Sequence, residues 1–67
     1  MSPVVSDEVD DLIRSLKSGT PLVRERAAFD LGRIGDDRAV YALTYVASRD
    51  KKEDVRSAST EALAKIQ

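Results

Sequence analysis

The chain reads as an all-α protein, an α-α superhelix of two stacked antiparallel helical hairpins (four helices). Three observations predict this. A pattern occurs twice: residues 22–35 read LVRERAAFDLGRIG and residues 54–67 read DVRSASTEALAKIQ. At a spacing of 32 the two copies share Val23/Val55, Arg24/Arg56, Leu31/Leu63 and Ile34/Ile66. A period near thirty residues marks stacked helical units that bury their apolar sides against one another. Apolar residues also recur at helical spacing along the chain, and no segment reads convincingly as a strand. Finally, the breaks between segments are short and carry Gly, Pro and cap-forming side chains, so adjacent helices should pack as hairpins.

Segment one is expected over about Asp7–Ser18, with Val9, Leu12, Ile13 and Leu16 as its apolar side. Ser6 is the expected N-cap, Asp7 and Glu8 suit the positive end of the helix, and Gly19 is expected to end it in a left-handed conformation. Segment two runs over about Pro21–Ile34, with Thr20 as cap and Pro21 at the first helical position, where its missing N–H costs nothing. Its stripe is Val23, Ala27, Leu31 and Ile34, and Gly35 ends it. Segment three is expected over about Asp37–Ser48, capped by Asp36 or Asp37, with Val40, Leu43, Val46 and Ala47 inward. At a spacing of 31 it matches segment one, Val9 over Val40 and Leu12 over Leu43. Segment four runs over about Lys52–Ile66 with Asp50 as cap and Val55, Ser59, Leu63 and Ile66 as its stripe. The spacings differ by one because Asp50-Lys51-Lys52-Glu53 replaces Gly19-Thr20-Pro21 between the helices.

Composition narrows the function classes. At 67 residues this is one small domain, of a size that buries only roughly 60% of its unfolded surface. Cysteine and histidine are both absent. No disulfide supplements the core, and zinc, haem and iron–sulfur ligation lack their usual donors; no metal site and no cofactor are expected. The net charge is −1 with both signs interspersed, so no basic field favours nucleic acid. The N-terminus, MSPVVSDEVDD, has neither the basic region nor the apolar run of a signal peptide, and no stretch approaches a membrane span. A cytoplasmic protein is the expectation, with no membrane partner.

The motif Val23-Arg24, Ala27-Ala28, Leu31-Gly32, Ile34-Gly35-Asp36, then Arg38-Ala39-Val40 and Leu43 resembles the HEAT-repeat superfamily. The pattern V-R-x-x-A-A-x-A-L-G-x-I-G-D followed by R-A-V-x-x-L is similar to the HEAT-like repeat of the phycobilisome-lyase type. The resemblance covers nearly the whole chain from Asp7. It implies a short tail over 1–6 and a single HEAT-like domain over 7–67, with repeat one at 7–35 and repeat two at 36–67. It also implies a structural ladder in which the Arg of each Val-Arg pair bonds an acid at an inter-helix turn. Arg56 would pair with Asp50, and Arg24 would join beside it. Gly19 stands where the first unit would carry its acid. Both Arg are read as internal staples.

Departures from a packing motif are where function is to be sought. At about 100° per residue, Phe29 falls opposite the segment-two stripe, on the side that lines the concave surface in the stacks this chain resembles. Arg26 and Arg33 lie three before and four after it, on the same side, and Leu22 borders the patch. Ala58, Glu61 and Lys65 extend the strip on segment four. Arg26, Phe29, Arg33, Glu61 and Lys65 are thus the candidate protein-binding residues, with Phe29 anchored between the two Arg; partner contact, self-association and plain exposure stay open for it. Asp30 stands where the pattern favours Ala, is expected to be partly buried, and needs a partner among Arg26, Arg33 and Arg56. Tyr41 and Tyr45, four apart, are expected to lean over the hairpin as amphipathic packing residues.

No nucleophile–base pair or metal set accompanies these residues, so no catalytic residue is assigned. The functional expectation is a non-catalytic protein–protein interaction module or small scaffold that presents a concave helix face to a protein partner. Homo-oligomers through the uncapped repeat ends are a further expectation. The alternative is an accessory subunit of a tetrapyrrole-handling complex of the phycobilisome-lyase kind. Segment two sets three Arg against Glu25 and Asp30, too small an excess for strong phosphate affinity, so no nucleic-acid partner is expected.

Overall fold

The computed structural model describes residues 7–67. They form α1 (Glu8–Ser18), α2 (Pro21–Ile34), a 3₁₀ turn (Asp37–Ala39), α3 (Val40–Arg49) and α4 (Glu53–Ile66). The all-α architecture of two packed helical hairpins is therefore present as the sequence predicts.

Each helix boundary has a local cause. Asp7 caps α1, its Oδ1 accepting the Asp10 N–H at 2.9 Å, while Glu8, Asp10 and Asp11 fill the first turn. Capping thus falls to Asp7; the expected cap, Ser6, lies outside the described residues. Gly19 does not adopt the expected left-handed conformation. Its φ of −75° and ψ of 173° are extended. Glycine is needed there for room: a Cβ would fall 2.5 Å from Val23 Cγ1 and 2.8 Å from the Ser15 carbonyl oxygen. Thr20 Oγ1 accepts the Val23 N–H at 3.3 Å with Pro21 at the helix start, as expected. Gly35 closes α2 at a φ of 79°, its N–H donating to the Leu31 carbonyl at 3.0 Å.

The second hairpin departs further from expectation. Asp36 Oδ1 accepts the Arg38 N–H at 2.8 Å, but it caps the tighter 3₁₀ turn, so the α-helix proper begins only at Val40. Asp50 does not cap segment four. It terminates α3, its Oδ1 accepts the Lys52 N–H at 2.9 Å, and α4 starts at Glu53 without a side-chain cap. The reason is position: Lys52 occupies the cap position, which leaves Asp50 two residues upstream, where its carboxylate serves the turn and Arg24 of the other hairpin.

The core comprises Val9, Leu16, Ala27, Ala28, Leu31, Ala39, Ala42, Leu43, Val46, Val55 and Ala62. Val23 is not part of it: it is more than a third exposed, while Ala28 and Gly32 are buried instead. The buried side of α2 is turned because α2 is covered on two flanks, by α1 and by α4. The α2–α4 approach is close, and a Cβ on Gly32 would stand 2.8 Å from Ala62 Cα. Such proximity requires the absence of a side chain at Gly32. The two second helices thus lie side by side and together form the face that carries the candidate site.

Candidate functional site

Two polar clusters tie the hairpins together before any binding surface is considered. In the first, Arg24 grips Asp50 with a two-pronged pair, Nε to Oδ2 at 2.7 Å and Nη2 to Oδ1 at 3.1 Å. Its third edge, Nη1, donates to the Gly19 carbonyl at 2.7 Å. Arg56 takes the Asp50 carbonyl oxygen through Nη1 at 2.6 Å. The expected ladder of Arg24, Asp50 and Arg56 exists, with its pairing corrected: the carboxylate belongs to Arg24, and Arg56 holds the backbone. Both Arg do the same thing to their own turn, bonding the carbonyl of the residue that ends the preceding helix. Gly19 can serve as well as Asp50 for that purpose because the acceptor is main-chain. The Arg24 hydrogen bonds hold the Asp50 carboxyl below the ordinary carboxylate range, against the opposing effect of burial, and the Lys52 N–H adds to this. Bidentate Arg–carboxylate geometry fixes orientation as well as distance.

The second cluster centres on Arg38, whose staple role sequence reasoning missed. Nη2 lies 2.8 Å from Asp7 Oδ2 and 3.0 Å from Asp36 Oδ2, and Nη1 lies 3.6 Å from Asp10 Oδ1. The guanidinium thereby joins the start of α1 to the start of the second hairpin. Asp36 is held below its ordinary pKa chiefly by the Arg38 side chain, and Asp7 chiefly by the Asp10 N–H with Arg38 second. A signal was available: at the spacing of 31 that relates the first and third helices, Asp7 falls on Arg38. Parallel neighbours in a stack bring such equivalent positions together.

Between α2 and α4 runs an open groove of about 850 Å³, lined by Leu22, Val23, Glu25, Arg26, Phe29, Asp54, Ser57, Ala58 and Glu61. Phe29 is 53% exposed and Leu22 76% exposed, so the apolar patch expected around Phe29 is present on the surface. Of the candidate residues, Arg26, Phe29 and Glu61 line the groove. Lys65 stands over the Phe29 ring with Nζ 5.2 Å from its centroid, within cation–π range. Arg33 lies apart from the groove.

One detail of the expected site is corrected. Phe29 is not anchored between Arg26 and Arg33. Both guanidinium groups turn to Asp30, Arg26 Nε at 3.5 Å and Arg33 Nη2 at 3.8 Å from its Oδ1. Asp30 is the half-buried carboxylate the sequence anticipates, and its partners are Arg26 and Arg33, not Arg56. The ring's cation comes from the neighbouring helix, since a Lys side chain reaches across the narrow α2–α4 spacing. Val23, expected in the core, belongs to the groove wall. Tyr41 and Tyr45 are also more open than expected: Tyr41 is 82% exposed, and Arg49 sits 5.2 Å from the Tyr45 ring centroid.

Among the described residues, no cluster of acidic side chains is arranged to hold a metal ion, and no helix is long and apolar enough to cross a membrane. No curated protein matches the chain. A family profile, that of HEAT repeats, matches residues 9–67. It spans both hairpins, all four helices and both Val-Arg pairs. The chain belongs to the HEAT-repeat family.

Proposed function

We propose that the protein is a non-catalytic interaction module that presents the α2–α4 groove to a protein partner. The observation that carries this reading is the exposure of Phe29 and Leu22 on a groove whose walls are two rigid, closely packed helices. Exposed large apolar side chains gathered in one concavity, with polar groups around them, are the composition of an interaction surface. Membership of the HEAT-repeat family supports the same reading, since its solenoids generally serve as protein-binding surfaces.

The arginines offer no support for a nucleic-acid partner. Arg24, Arg26, Arg33 and Arg38 each stand beside a carboxylate of this chain, which leaves little free positive charge for phosphate. The tetrapyrrole-linked alternative rests on motif resemblance alone, and the groove adds no residue that favours it over protein binding. Self-association through the stack ends is the accompanying proposal for the uncovered flank of α4, where Thr60 and Ala64 are exposed.

The test is Phe29→Ala. Because the ring is half exposed and outside the core, circular dichroism should be unchanged, while proteins retained on the immobilised wild type are lost from the variant. A variant that unfolds, or that retains the same proteins, would overturn the reading.

A further inference from the structure

Resting on that reading of the groove, we infer that its occupant is a basic amphipathic helix: apolar side chains along one stripe, flanked by Lys or Arg. The lining combines apolar side chains, Leu22, Val23, Phe29 and Ala58, with the carboxylates of Glu25, Asp54 and Glu61 from both helices. Among the described residues, none of these three carboxylates makes an ion pair. The only cation in the lining, Arg26, is directed to Asp30, outside the groove. With Lys65 engaged on the Phe29 ring, the lining sets three carboxylates against the single guanidinium of Arg26, so the site pairs apolar anchor space with an excess of negative charge.

Two further considerations select a helix. Both walls are α-helices, whose backbone groups bond internally, so the groove offers no sheet edge to an extended peptide. A ligand that satisfies its own backbone loses nothing on desolvation, and an amphipathic helix does so while projecting anchors every three to four residues. The lining's charge then selects the flanking residues, since like charges across an interface are penalised and opposite ones steer association.

A second copy of the chain is the competing occupant. Its exposed aromatics on α3, Tyr41 and Tyr45, have Lys17, Arg49 and Lys51 beside them, although Arg49 already sits over the Tyr45 ring. They offer two aromatic rings where the groove has room for a longer aliphatic stripe, and concentration-dependent sedimentation separates the two. The exposed side of α1 starts with Glu8, Asp10 and Asp11 and would meet like charge.

The experiment uses three synthetic helical peptides of about five turns and isotope-labelled protein. The first carries a Leu stripe flanked by Lys, the second the same stripe flanked by Glu, and the third replaces the stripe with Ser. The Lys–Leu peptide is expected to shift the amides of Leu22–Phe29 and Asp54–Glu61. Its affinity should fall about tenfold between low and moderate salt and about tenfold in the Glu25→Gln/Asp54→Asn/Glu61→Gln triple variant. These positions are exposed or half-buried, and the variant's thermal midpoint verifies that it folds.

Equal binding of the Glu-flanked peptide, indifference to the triple variant, or no groove shifts with any peptide would overturn the inference. Groove binding of the Glu-flanked peptide that is lost in Phe29→Ala would leave the interaction reading standing and remove only the cationic helix. A sedimentation mass that rises with concentration and is abolished by Phe29→Ala would make a second copy the occupant instead.

Discussion

Replacing Gly32 with alanine sets two opposing effects against each other in one methyl group. Gly32 lies mid-helix in α2, where Ala is intrinsically better by about 1 kcal/mol, and a buried methyl adds up to about 0.8 kcal/mol more. Against this, the new Cβ would stand 2.8 Å from Ala62 Cα and 2.9 Å from Ala62 Cβ. Ordinary carbon contacts begin near 3.5 Å, so α2 and α4 would have to part by roughly 0.7 Å. The obstruction is main chain and a Cβ, with no flexible side-chain end to swing aside. The overpacking cost therefore falls at the top of its usual range, about 3 kcal/mol. The net expectation is destabilisation of about 1–2 kcal/mol, a thermal midpoint lower by about 4–15 °C in a domain of this size.

Urea and thermal unfolding of Gly32→Ala measure the total. The pair Ser57→Ala and Ser57→Gly, at an exposed site within α4, isolates the propensity component, expected at about 1 kcal/mol. A Gly32→Ala protein as stable as wild type, or more so, would refute the claim that close α2–α4 packing is what requires glycine.

Three further outcomes follow from the same structure. Ser59 is fully buried and its hydroxyl has no partner among the described residues, whereas Ser18, Thr44, Ser48 and Thr60 all donate to the carbonyl four residues back. Ser59→Ala should thus stabilise the fold by about 1 kcal/mol in urea unfolding, and a loss of stability would show that the hydroxyl is bonded. Gly35→Ala meets no atom within 4 Å, yet should cost about 1–2 kcal/mol for its left-handed backbone, with Gly35→Asn milder in the same assay. Asp7, Asp36 and Asp50 are all held below the ordinary carboxylate range in the folded state. The unfolded chain then binds more protons as acid is added, so their stabilisation is present above about pH 4 and lost as pH falls through the lower folded values. Asp50→Asn should flatten part of that acid decline in a pH series of thermal midpoints; an unchanged slope would separate the Arg24 pair from acid sensitivity.

Much of this was legible in the residues. The repeat shows directly as self-similarity at a spacing of 32, while the helix count, the Thr20 cap, Pro21 at a helix start and Gly35 as a stop follow from short-range rules, since they depend on neighbours within four positions. The exposure of Phe29 followed from helical phase. Readings failed where one side chain had several possible partners at different distances along the chain. Asp50 sits beside segment four and reads as its cap, but the helix starts two residues further on, and the carboxylate is shared between the Lys52 N–H and Arg24 of the other hairpin. Arg26 and Arg33 flank Phe29 in sequence but answer the half-buried charge of Asp30, because a carboxylate deprived of water attracts a guanidinium more strongly than an exposed ring does.

The sequence by itself determined a two-hairpin helical stack with an exposed aromatic on its second helix. That much is periodicity and propensity, both local properties. Tertiary structure decided everything that depends on which helix lies beside which. It gave Asp50 to Arg24, brought Lys65 over Phe29, and demanded a bare Cα at Gly32. It also gathered Glu25, Asp54 and Glu61 beside the apolar side chains of one groove. Residues from separate hairpins acquire a shared electrostatic environment only when packing brings them together, and for that reason the charge of the groove could not be read along the chain.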